Sequence, residues 1–148
     1  MDDELVEKMA RAGCCEVSLG FESGSEKMLG NFNKKFGPED VRRISKMLRT
    51  QGIRQMGFLL LNGPGETRET VEESLAFADS LDLESMKVTM GVRIYPYTPL
   101  SRIAIREGLI ASDEELLFPK FYMTRGLDRD WLRKTVTAWM NERPHWIS

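Results

Sequence analysis

The chain has 148 residues, 41% hydrophobic and 30% charged, and its 21 basic and 23 acidic side chains leave a net charge of −2. This suits one globular domain, with signs too evenly mixed for a nucleic-acid footprint or an anionic-membrane surface. No apolar run approaches the ~20 residues of a membrane span, the acidic start Met1-Asp2-Asp3-Glu4 is unlike a leader, and the adjacent Cys14 and Cys15 are the only cysteines, so a disulfide framework is excluded and a cytoplasmic location is expected.

Leu5, Val6 and Met9 recur at helical spacing and stop at Gly13, which predicts a helix over 3–12. Glu16 to Glu22 alternates polar and apolar, as a strand does. Ser23-Gly24-Ser25 breaks that strand and caps a short helix from Glu26 to Asn31. Gly37-Pro38-Glu39-Asp40 starts a helix whose stripe of Val41, Ile44, Met47 and Leu48 ends at Gly52. Ile53 to Leu61 is nearly continuous in apolar residues, as expected of a parallel strand covered on both faces.

Gly63-Pro64-Gly65 then turns the chain, and Thr67 caps a helix carrying Val71, Leu75, Phe77, Ala78 and Leu81. Met86 to Tyr95 reads as a third strand with Val88, Met90, Val92 and Ile94 on one face; a helix near 100–107 follows, closed by Gly108. Ser112 with Glu115 has capping-box spacing, and Trp131, Val136, Trp139 and Met140 predict a last helix over 128–142, its tryptophans serving core or docking. Short connections between strands and helices imply βαβ units and a parallel sheet. Three such strands cannot close a barrel, and one sheet edge is left with unpaired backbone groups, open to self-association. A helix before the first strand adds to the impression of a second half.

Ligands of parallel α/β folds bind at the carboxyl ends of strands. The first such place is Leu19 to Ser25. With Val17, Leu19 and Phe21 toward the helices, Ser18, Gly20 and Glu22 face the other way; Glu22 either contacts a ligand or only accepts backbone hydrogen bonds. The second is Asn62-Gly63-Pro64-Gly65, where backbone angles suited to close approach precede a helix N-terminus with free N–H groups. It is either a ligand loop or a simple helix start. The third is Gly91 to Pro99, where Arg93 and Tyr95 share the inner face and Arg93 is placed to pair with Glu22 across the intervening strand, for structure or for a ligand. Lys34 and Lys35 are solvated or reach an acidic ligand group. His145, the only histidine, offers no hydrolase triad, and Cys14 and Cys15 read as buried thiols without the spacing of cluster ligands.

Taken in order, Ala12-Gly13-Cys14, Leu19-Gly20-Phe21-Glu22-Ser23-Gly24-Ser25, Gly52-Ile53, Phe58 through Thr67, Arg93 through Leu100 and Glu107-Gly108-Leu109-Ile110 resemble the second half of a radical S-adenosylmethionine (SAM) enzyme core. Within that family they are most similar to the branch in which a cobalamin-binding domain often precedes the core. The resemblance implies an α/β fold in which three parallel βα units form half of a partial (βα)6 TIM-like barrel over residues 1–110. A helical extension, 111–148, follows and ends in a C-terminal helix. It implies a partial SAM site: Glu22 and Ser23 at the ribose or methionine part, Lys34 at the carboxylate, Leu60 on the adenine, the turn Asn62-Gly63-Pro64, and backbone near Tyr95 and Pro96, with Arg93 on the same wall.

Asn62 stands where the family usually has glycine, and the CxxxCxxC loop that ligates a [4Fe–4S] cluster is not in this sequence. The resemblance therefore implies a truncated product, a separated domain or one chain of a split enzyme. Such a chain is inert alone, its cluster and any cobalamin belonging to the full-length enzyme, and its partner is the missing N-terminal half-barrel or another chain. The substrate is not legible. Two other readings stay open: a phosphate- or nucleoside-binding half-barrel module, and a non-catalytic assembly element.

Overall fold

The computed structural model describes residues 1–112, 115–144 and 146; His145 lies outside them. Helix α1 (Asp3–Arg11) begins where the Asp2 carboxylate accepts the Leu5 N–H, and it closes at Gly13, whose φ is +87°. Strand β1 (Glu16–Glu22) and helix α2 (Glu26–Asn31) follow. In α3 (Pro38–Thr50) the Asp40 carboxylate accepts the Gly37 N–H at 3.1 Å, so the first turn is capped from within. Strand β2 (Arg54–Leu61) leads to α4 (Arg68–Asp79), capped by Thr67.

The strands β1, β2 and β3 (Ser85–Met90) form a parallel sheet in that order, with β2 central. The third strand is shorter than its alternation predicts. Gly91 takes φ +97° and donates its N–H to Leu61 O, which turns the chain out of the sheet. Val92 and Arg93 then form β4, paired antiparallel with β5 (Phe121–Tyr122), an element without a sequence signal of its own. Helix α5 (Pro99–Arg106) is capped by Thr98, and α6 (Arg129–Asn141) by Asp128. Glu115 starts no helix: residues 115–120 are irregular, and Leu116 sits at φ +54°.

The main core lies between the sheet and its helices, and Val6, Leu48 and Ile53 form a separate cluster with α1 and α3. In the main core Phe21, Leu59, Leu61 and Met86 meet Val71, Leu75, Phe77 and Ala78, and each fully buried large side chain contributes roughly 1.5–3 kcal/mol. The opposite face differs from the expectation for β2. Gln55, Gly57, Leu59 and Leu61 are buried, whereas Met56, Phe58 and Leu60 are only half-buried, because the helices packed on the sheet among the described residues lie on one side. The thiols also differ: Cys14 is half-buried and Cys15 exposed, since both lie in the α1–β1 connection and not under the helices.

The tail docks on this core through Leu127, Leu132, Val136 and Met140. Arg143 lies beside the packed rings of Trp139 and Trp146, 4.6 and 5.5 Å from their centroids, and forks onto Asp79 of α4 at 2.6 and 2.7 Å. Trp139 and Trp146 are thus docking residues, and Trp131 stacks under Arg68 at the start of α4. No helix of the described residues is long and apolar enough to cross a membrane.

Candidate functional site

The face of the sheet turned away from the helices carries Ser18, Gly20 and Glu22 of β1, Met56, Phe58 and Leu60 of β2, and Lys87 and Thr89 of β3. Register brings Ser18 beside Met56, Phe58 beside Lys87 and Leu60 beside Thr89. A bulge between Leu19 and Glu22 ends the regular pairing, and Glu22 takes φ +66°. A side chain is strained there by about 1–3 kcal/mol, a cost typical of ligand sites. The Glu22 carboxylate reaches back over Gly20, where an added Cβ would lie 3.4 Å from Oε1, and accepts a hydrogen bond from Lys34 Nζ at 3.2 Å.

The turn after β1 is pinned from inside. Ser74 Oγ donates to Thr70 O at 2.8 Å, so the Ser23 hydroxyl donates to Ser74 Oγ at 2.7 Å; Gly24 N–H also donates to Ser74 Oγ at 3.1 Å. Ser23 is fully buried by this chain of bonds and sits beneath Glu22 instead of on the open face.

The turn after β2 brings its own anion. The Glu66 carboxylate, 3% exposed, accepts N–H bonds from Asn62 at 2.5 Å and Gly63 at 3.2 Å, and the Thr70 hydroxyl at 3.2 Å. Burial pushes its pKa above the ordinary carboxylate value, and the two backbone bonds hold part of that rise back. Those two N–H groups are therefore not free for a ligand. Asn62 adopts φ +70° and Gly65 +80°, the left-handed angles the sequence suggests. The two turns are locked together: Asn31 Nδ2 donates to Pro64 O at 2.8 Å, and a Cβ on Gly63 would lie 2.6 Å from the Phe32 ring.

The third strand end departs most from expectation. The pair expected between Arg93 and Glu22 does not form: Glu22 is held by Lys34, and the Arg93 guanidinium stacks 4.8 Å from the Tyr95 ring centroid. The cause is Gly91, whose turn takes Arg93 off the sheet into the β4–β5 ribbon. Tyr95 and Pro96 are exposed beyond it. Sequence reasoning missed the tail's part in the site. Thr124 N–H donates to Asn62 O at 3.3 Å and Met123 packs against Gly91, so the segment after β5 lies across the ends of β2 and β3. Among the described residues no three His, Cys, Asp or Glu side chains stand ready to hold a metal.

The family model described as Radical SAM superfamily matches residues 1–78, more than half of the chain. The chain belongs to the radical SAM superfamily. An uncharacterized methyltransferase of Pyrococcus horikoshii is 30% identical over 109 residues, covering 74% of this chain and 24% of the relative. The tryptophan 2-C-methyltransferase of Streptomyces laurentii is 27% identical over 107 residues, 68% of this chain and 18% of that one. The radical SAM methyltransferase TsrM of Kitasatospora setae, solved with cobalamin and a [4Fe–4S] cluster, is 28% identical with a TM-score of 0.66 over 72% of this chain and 20% of TsrM. Its structure with tryptophan and a SAM analogue superposes on 95% of this chain and 33% of TsrM, with a TM-score of 0.76 at 22% identity. The α/β fold of parallel βα units with a C-terminal helix is thereby that of a radical SAM barrel segment, and this chain spans a quarter or less of its curated relatives.

Proposed function

We propose that this radical SAM chain is the carboxyl-terminal part of a cobalamin-dependent methyltransferase-like enzyme, and that its strand ends form one wall of the SAM pocket. The Glu22–Lys34 pair over the open Gly20 surface, with Leu60 of β2 on the same sheet face, carries this reading. A zwitterionic nucleoside needs what that surface offers: an acceptor for ribose hydroxyls or an ammonium group, a cation for a carboxylate, and an apolar plane for adenine. Asn62, Gly63 and Pro64, held by Glu66 and Asn31, would bring backbone to the adenosyl group, with Tyr95 and Pro96 at the far side. Ser23 contributes by fixing Glu22 from below.

Bound SAM beside a reduced [4Fe–4S] cluster supplies a methyl group or a 5′-deoxyadenosyl radical. Cys14 and Cys15 are adjacent and precede β1, the end of the sheet away from the site, so the cluster ligands fall to other polypeptide and this chain alone is inert. The outer edge of β1 supports a partner half: with α3 and Phe36 it lines a groove of about 430 Å³ where a further strand would pair.

Calorimetric titration of the 148-residue chain with SAM tests the pocket. Binding in the high-micromolar to millimolar range, lost in Glu22→Gln, is expected. No heat and no melting shift at millimolar SAM, with the fold intact by circular dichroism, overturns it.

A further inference from the structure

The β4–β5 ribbon has two unlike faces. Val92, Ile94 and Tyr122 pack on α5 with Ala104 and Ile110. Arg93 and Phe121 lie opposite one another in the ladder on the other face, and Tyr95 stacks on Arg93. Tyr95 is 52% and Phe121 49% exposed, so two large rings on this face of the ribbon stand half in water. Lys34 is neutralised by Glu22, whereas the Tyr95 ring is the described partner of the Arg93 guanidinium and no carboxylate among the described residues lies within ion-pair distance. The ribbon is also fastened to the SAM wall, through Thr124 to Asn62 and through Met123 to Gly91.

We infer that Arg93, Tyr95 and Phe121 form the recognition surface for the second substrate, an aromatic acid whose carboxylate takes Arg93 and whose ring lies against Phe121. As a substrate site it rests on the SAM-pocket reading. A carboxylate supplies the two-oxygen partner that a guanidinium fork takes best, and an aromatic ring covers apolar surface that is otherwise wet. Charge and apolar area stand together on one face, so a neutral aromatic or a small anion alone satisfies only half of it.

The test uses the 148-residue chain with 13C-methyl methionine, 3-phenylpropionate as probe, and 3-phenylpropanol and acetate as controls. Met123, against Gly91, reports the ribbon; Met28, beside Gly63, reports SAM. 3-Phenylpropionate shifts Met123 at millimolar concentration, Arg93→Gln weakens this about tenfold, and Arg93→Lys weakens it by less, since it keeps the charge and loses the fork. 3-Phenylpropanol binds wild type no better than 3-phenylpropionate binds Arg93→Gln, and Phe121→Ala weakens the acid severalfold. Equal binding by wild type and Arg93→Gln, acetate binding as tight as the aromatic acid, or a Met28 response to SAM with no Met123 response to 3-phenylpropionate overturns the inference. A Met123 response without any response to SAM overturns the SAM-pocket reading and leaves the anion surface standing.

Discussion

Lys34 Nζ lies 3.2 Å from Glu22 Oε1, joining the end of β1 to the chain twelve residues on, beyond α2. The side chains are 28% and 26% exposed, so water screens the pair and its net worth to the fold is about 0–1 kcal/mol. Lys34→Met is therefore expected to leave urea stability within about 1 kcal/mol of wild type. If Lys34 meets the SAM carboxylate, the same change weakens SAM binding about tenfold in calorimetry.

Glu22 separates stability from binding more sharply. Its φ of +66° suits glycine, so Glu22→Gly relieves about 1 kcal/mol of backbone strain while deleting the carboxylate. The expected variant is as stable as wild type or slightly more so in denaturant, yet does not bind SAM. A marked loss of stability would place Glu22 among the structural residues.

Glu66 makes the fold sensitive to pH. Burial raises its folded pKa above the ordinary 4.5, so the folded state holds this proton more tightly than the unfolded chain. Its contribution to stability is fully present below the unfolded pKa and is lost as pH rises through the folded value. Glu66→Gln, which keeps an acceptor for the Asn62 and Gly63 N–H groups, flattens thermal stability across that window. Glu66→Ala strands both donors and costs about 3 kcal/mol, read by urea unfolding.

The helices and the three parallel strands were legible because glycine, proline and capping residues mark their ends: Gly13, Gly52 and Gly108 all take positive φ where the helical stripes stop. The turn after β2 was legible through Asn62 and Gly65. Three features were not. A two-residue strand such as Phe121–Tyr122 has no period to detect, and its pairing with Val92–Arg93 depends on chain far away. The end of β3 at Gly91 was hidden because alternation carries on through it in the letters while the backbone turns. The occupation of the turn by Glu66 was invisible, since an acid at a helix start looks the same whether it faces water or folds back on its own loop.

Two glycines in the same turn region separate packing from binding. A Cβ at Gly24 would lie 2.2 Å from Phe77 Cβ and 3.0 Å from Glu73 O, so Gly24→Ala must push α4 away and costs roughly 1–3 kcal/mol by denaturant unfolding. At Gly20 the nearest atom would be Glu22 Oε1 at 3.4 Å. Gly20→Ala is expected to fold normally and to weaken SAM binding, because its methyl group stands on the open surface.

The grip of α6 on α4 makes a peptide bond in the exposed Leu117–Phe118 stretch dispensable once folding is done. A protease that nicks the chain there should yield two fragments that travel as one species on gel filtration and part only in detergent. The Asn62 carbonyl and the Arg143–Asp79 fork would hold the severed tail in place as a non-covalent subunit, open to replacement by a synthetic peptide carrying other side chains at positions 121 and 123.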